Sequence, residues 1–260
     1  MKILHGRRLL LTLAGIFFLT FGILAQKKDS TRLEKHFSGA IQLTHNGISL
    51  VPTFSLGKPA IIFLISAGGK RVSFEPDIRF SLSGKPWSML FWLRYRPQTT
   101  GNFFLTMGIH PALNFRTQTV TINGETNEHI VTRRFLAAEI APSVKLGPYL
   151  QAGVYYLYSR GLDPGVPQNN HFLTLNANIH SVPPPGKLLV RLTPQVYYLK
   201  QDQRDGFFFT SGFSLARKGF PIFIAAIINK KLSGDITGAK DFIWNTSLVY
   251  SFQHTYKRGR

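Results

Sequence analysis

Apolar and polar residues alternate along most of this chain with the period of a β-strand. From Phe242 to Phe252 the chain reads FIWNTSLVYSF. Phe242, Trp244, Leu248, Tyr250 and Phe252 fall on one face, because successive strand side chains point to opposite sides. Rings stand at both ends of that face with an aliphatic residue between them. A strand needs this layout if its ends lie at the two interfaces of a bilayer and its middle in hydrocarbon.

The same alternation recurs upstream. Val72, Phe74, Ile78, Phe80 and Leu82 share a face, with Arg71, Ser73, Glu75, Asp77, Arg79 and Ser81 behind them. Pro76 withholds a ladder donor, so a bulge is expected there. Trp87, Met89, Phe91, Leu93 and Tyr95 form the next stripe, then Phe103, Leu105, Met107, Ile109, Leu113 and Phe115. Strands are also expected at 48–56, 61–67, 133–142, 148–159, 170–181, 187–200, 206–216 and 220–230. Each has roughly the length a tilted strand needs to cross a bilayer. The pattern predicts an all-β fold: an antiparallel up-and-down transmembrane barrel of about twelve strands.

Phe37, Gly39, Ile41 and Leu43 alternate in opposite parity to Ile48 onward, across Asn46-Gly47. That dipeptide reads as a hairpin turn or a bulge, which leaves roughly ten to fourteen strands open. With the amino terminus on the periplasmic side, the longest connections (116–132, 160–169, 231–240) lie outside and the short ones inside. This is the asymmetry of outer-membrane barrels.

The first residues set the compartment. Basic Lys2, Arg7 and Arg8 precede an apolar run from Leu9 to Ala25 and then polar Gln26-Lys27-Lys28, the layout of a cleaved signal peptide. The expected organisation is a signal peptide at 1–25, a polar lead at 26–45 that includes an extra strand or none, a barrel at 46–252 and a basic tail at 253–260. There is no cysteine, so disulfides and thiolate metal sites are excluded. The formal charge of +19 falls to +16 without residues 1–25. Its basic residues are scattered rather than striped, which fits phosphate-rich lipid headgroups better than nucleic acid.

Three motifs, NGISLVPTFSLGKP (46–59), FEPDIRFSLSGKPWS (74–88) and KDFIWNTSLVYSF (240–252), carry a resemblance. The chain resembles the uncharacterised small outer-membrane β-barrel proteins of Bacteroidota-type bacteria. The resemblance implies a barrel in the outer membrane, but the shared motifs are structural and imply no chemistry. In many barrels the aromatic read by the assembly machinery is the last residue, whereas here Gln253–Arg260 follow Phe252.

With the strongly apolar face outward, Glu75, Asp77, Arg79, Arg94, His110, Asn114, Glu139, Arg191 and Asn245 face the lumen. Trp87, Tyr95, Phe242, Trp244, Tyr250 and Phe252 form a lipid-facing aromatic belt. Charges inside a closed wall are tolerated when paired or hydrated. They make either a constriction that selects solutes or a filled wall. No metal-ligand spacing or phosphate loop occurs, and no cofactor is expected. The expected function is a non-enzymatic narrow channel or structural barrel, with outer-membrane lipids and the barrel-assembly machinery as partners and a small solute in the lumen. Two alternatives remain. One is a lipid-modifying hydrolase using His36 and Ser38, which share a strand face. The other is a soluble secreted β-sandwich, whose surface would carry long aromatic stripes.

Overall fold

Strands of alternating pattern cannot leave edges exposed in lipid, so they must close on themselves. The structure, a computed structural model that describes residues 34–122, 125–180 and 188–257, is a closed antiparallel barrel of twelve strands. These are β1 (Glu34–Thr44), β2 (Ala60–Gly69), β3 (Val72–Ser81), β4 (Pro86–Tyr95), β5 (Phe103–Ile122), β6 (Glu125–Lys145), β7 (Leu150–Gly161), β8 (Asn169–His180), β9 (Leu188–Gln201), β10 (Arg204–Arg217), β11 (Ile222–Gly234) and β12 (Phe242–Lys257). Each pairs with its neighbours in sequence, and β12 returns to β1. A two-sheet sandwich is thereby excluded. The expected signal peptide at 1–25 lies outside the described residues.

The first expected strand is a correction. Residues 48–56 form no strand; their centre is a 3-10 turn at Pro52–Phe54, and the first strand is β1, within the segment expected to be a polar lead. Pro52 explains the failure, since it has no N–H for a ladder. The parity change at Asn46-Gly47 marks the end of β1 rather than a hairpin. Further along, the expected 116–132 connection is mostly ladder: β5 and β6 stay paired out to Ile122 opposite Glu125. The expected tail also begins late, because β12 runs five residues past Phe252, to Lys257.

The bulge expected at Pro76 is displaced. On either side of Pro76 the β2–β3 register is the same, with Leu64 opposite Asp77 and Ala67 opposite Phe74. The shift falls at Arg79/Phe80, where Arg79 faces Ser88 and Phe80 faces Pro86. Trp87 is the extra residue, and the bulge turns its side chain from the outer face to the inner one.

The seam between first and last strands is packed by rings. A Cβ on Gly39 would lie 2.8 Å from the Phe252 ring, and the Phe37 and Phe252 rings sit 5.5 Å apart. Around the outside, Ile109, Leu136, Leu175, Val196, Ile224 and Leu248 are all exposed. A continuous apolar belt of this extent is not left in water.

Candidate functional site

The connection between β1 and β2, residues 45–59, folds into the barrel. Its base is closed by backbone bonds: Gly47 N–H donates to Lys58 O (2.8 Å), and Leu56 N–H donates to Gly47 O (2.9 Å). Gly47 suits this neck because a Cβ there would approach the Trp87 ring to 3.1 Å. Within the loop, Ser55 Oγ accepts from Ser49 N–H (2.9 Å) and donates to Ser49 O (3.1 Å). Small hydroxyl residues thus hold the loop's own backbone where no ladder is available.

Side chains from the wall then hold the loop across the lumen. Trp87 Nε1 of β4 donates to Phe54 O (2.7 Å). Arg116 of β5 donates to Ser55 O (3.0 Å) and to Thr53 O. From β9, Tyr197 Oη donates to Leu50 O (3.0 Å) and Gln201 Nε2 to Thr53 Oγ1 (3.2 Å). Asn245 Nδ2 of β12 donates to Asn46 O (3.1 Å) at the neck. The Phe54 ring meets Phe135 of β6 edge-on at 4.9 Å. Leu50 and Val51 pack on a cluster formed by Phe172, Tyr197, Leu199, Phe208 and Ile236. The loop is therefore tied to walls on both sides of the barrel. Each net bond stabilises by about 1 kcal/mol, and together they hold the loop in one place.

Beneath the loop, one wall carries a charge network. Arg94 of β4 bridges two acids: Nε donates to Glu139 Oε1 (2.6 Å), and Nη1 bonds Glu75. Arg96 donates to the same Glu75 (2.7 Å) and to Ser73 Oγ (2.6 Å). Tyr155 Oη donates to Glu139 Oε2 (2.8 Å). Higher up, Arg79 grips Asp77 with two bonds of 2.7 and 2.5 Å and lies over the Trp87 ring at 5.1 Å. The Glu139 side chain is only 2% exposed, so its charge is tolerable because it is paired and hydrogen-bonded. Three carboxylates meet three guanidiniums here. The wall is charged locally and balanced as a whole.

Of the expected lumen residues, Glu75, Asp77, Arg79, Arg94 and Glu139 form this network. His110 is buried with its ring 3.8 Å from Trp92, and Asn114 donates to Trp87 O (3.4 Å). Arg191 stands apart, bonding Asn178 (2.8 Å) at an exposed position. Tyr95, Phe242, Trp244 and Tyr250 are exposed on the outer face, and Phe252 is partly covered at the seam. Trp87 is corrected from the outer belt to the interior, where it is 0% exposed.

Sequence reasoning missed the parts that hold the loop, Arg116, Tyr197 and Gln201, and it missed Ser66. His36 Nε2 lies 2.9 Å from Ser66 Oγ rather than pairing with Ser38. Ser66 Oγ also sits 3.5 Å from Glu75 Oε1. In a nucleophilic triad the acid orients the histidine. Here the acid meets the serine and is already held by Arg94 and Arg96. Among the described residues, no group of His, Asp or Glu converges in a way that would hold a metal.

Between loop and wall lies a cavity of about 540 Å³. Its upper part is lined by Leu50, Val51, Phe54, Phe135, Phe172 and Leu199, and its side by Asp77, Arg79, Ser88, Arg94, His110 and Asn114.

No family model matches the chain, and no curated protein matches it. Among solved structures it is similar to the KdgM porin, with 10% identity over 83% of this chain and 99% of that one and a TM-score of 0.49. It is similar to the NanC porin at 13% identity over 85% of this chain and 99% of that one, TM-score 0.45. It is also similar to OmpT of Vibrio cholerae at 7% identity over 86% and 99%, TM-score 0.45. These likenesses concern the barrel alone and bring no residue role or ligand to this chain.

Proposed function

We propose that this protein is a narrow passive channel in the outer membrane of a Gram-negative bacterium, of the Bacteroidota-type barrel family, exported by a cleaved signal peptide at residues 1–25. The carrying observation is a closed barrel that is apolar outside and hydrogen-bonded and charged inside, with a loop folded across it. A twelve-strand wall is intermediate between barrels filled by side chains and those that hold an open aqueous channel. The folded loop closes much of that difference, which leaves a restricted path rather than a wide pore.

Outer-membrane lipids contact the apolar belt, with the rings of Tyr95, Phe242, Trp244 and Tyr250 at the interfaces. The barrel-assembly machinery reads β12, whose aromatic stripe ends at Phe252 before the strand runs on. The acids of the lumen are matched by Arg79, Arg94 and Arg96, while Arg116 and Arg191 bond carbonyl and amide oxygens instead, so the path favours small neutral or anionic solutes over cations. Reconstitution in planar bilayers tests the proposal: protein verified as folded by a mobility shift on boiling should give small, discrete conductance steps. Folded protein that gives none leaves a structural barrel.

The hydrolase reading has one observation in its favour, the His36–Ser66 contact. It is tested separately by incubating the folded protein with phospholipid. Release of fatty acid that disappears in Ser66→Ala would establish it against the channel.

A further inference from the structure

The cavity beneath the loop is more than a gap in the pore. Ser88 of β4 and Asn114 of β5 face each other in register and are 6% and 4% exposed. Both line the cavity, and Ser88 Oγ and Asn114 Oδ1 have no hydrogen-bond partner. Asn114 spends its amide donor on Trp87 O, so the group left over is an acceptor. Buried polar atoms are nearly always satisfied, and one left alone is costly. Two such atoms, on facing side chains that line one cavity, would be satisfied by a ligand there that brings a donor.

The rest of the lining defines the ligand's body. Phe54, Phe135, Phe172, Leu50 and Leu199 offer rings and aliphatic surface, and a volume of about 540 Å³ lies within the range of small-molecule pockets. Charge is selected against. Asp77 and Arg79 are committed to each other by two short bonds, and Arg94 is held between Glu75 and Glu139. An ionic ligand would have to break one of these pairs and leave a buried charge unpaired.

We propose that this cavity binds a small uncharged molecule with a ring-containing apolar body and a hydroxyl group, the hydroxyl donating to Asn114 Oδ1 beside Ser88 Oγ. The assignment rests on the channel reading in that it names the channel's solute class, but binding itself needs no conductance.

The test uses the full-length folded protein in detergent and three probes of one shape: 2-naphthol, naphthalene and 2-naphthoate, titrated calorimetrically. Ala137→Phe and Ala112→Phe fill the cavity from β6 and β5; whichever keeps the mobility shift on boiling reports partition into the micelle alone. The expected result is saturable 2-naphthol binding that is lost in the filled variant and is about tenfold tighter than that of naphthalene, the effect of one buried hydrogen bond. 2-Naphthoate should bind weakest. Ser88→Ala with Asn114→Ala should erase the preference for 2-naphthol over naphthalene. Equal affinity for the two neutral probes, or 2-naphthol uptake that is unchanged in the filled variant, overturns the proposal and leaves a solvent-filled space. A protein that conducts but does not bind 2-naphthol loses this inference alone; one that binds but does not conduct loses only the channel.

Discussion

The indole N–H of Trp87 donates to the carbonyl of Phe54 at 2.7 Å, joining the barrel wall to the loop that crosses its interior. The contact exists because the β3–β4 register shift turns Trp87 inward. A one-residue bulge in the wall thus supplies the donor that a strandless loop needs.

Trp87→Phe keeps a ring and removes the donor, leaving the buried Phe54 carbonyl unpaired. The barrel should still close, with unfolding free energy in urea reduced by about 1–3 kcal/mol and faster protease cleavage between residues 48 and 56. An unchanged cleavage rate would show that the remaining ties hold the loop unaided.

Glu139→Gln tests the charged wall. It preserves shape and the contact with Tyr155 but leaves Arg94 with Glu75 alone. Removing one member of a buried pair costs about 3–5 kcal/mol. Because Arg94 keeps a second acid, the lower end is expected in equilibrium unfolding from lipid vesicles. Glu139→Gln with Arg94→Met should recover part of that loss, since no uncompensated charge remains on Arg94.

At the seam, Gly39→Val should fail more severely than its exposure implies. Besides the Phe252 ring at 2.8 Å, its Cβ would meet Leu64 O at 2.5 Å. The expected readout is loss of the fast-migrating folded form on unboiled gels. Gly39→Val with Phe252→Ala should recover little, because the backbone clash with Leu64 remains.

The loop at 162–168 carries a pH dependence. Asp163 accepts from the Arg134 guanidinium (2.6 Å) and from Arg134 N–H (2.6 Å). These bonds hold its carboxyl below the usual carboxylate range. A depressed folded value means the tie is fully present above the unfolded pKa of about 3.9 and is lost as pH falls through the folded one. Hydrogen exchange in residues 162–168 should therefore accelerate only in acid below about pH 4. Arg134→Gln should move that acceleration to higher pH.

The barrel was legible because alternation is local: each strand from β2 to β12 displays its own two faces. Part of the charged network could be read the same way, since Glu75, Asp77, Arg79 and Arg94 occupy one parity of adjacent stripes; Arg96, which joins it, was not among the expected lumen residues, and Arg191, which was, stands apart. Two features were not legible. Residues 48–56 alternate like a strand, yet their apolar face packs on Phe135, Tyr197 and Phe172 from within the lumen; apolar parity does not say which side of a wall it meets. Pro52, Ser49 and Ser55 were the available warning, as turn-forming residues in the middle of a supposed strand. Trp87 was misplaced because its stripe was read back through a bulge, and a one-residue slip exchanges the two faces. Arg116 and Tyr197 could not be paired with loop carbonyls from spacing, because those contacts join segments far apart in the chain.

The most direct test of the account is single-channel conductance in planar bilayers for the wild-type protein and for a variant in which residues 48–56 are replaced by a short Gly-Ser linker, both verified as folded by gel mobility. Wild-type steps should be small, and steps without the loop several-fold larger, since the loop is what narrows a twelve-strand lumen. Equal conductance in the two proteins would contradict this, because the loop would then not lie in the conducting path.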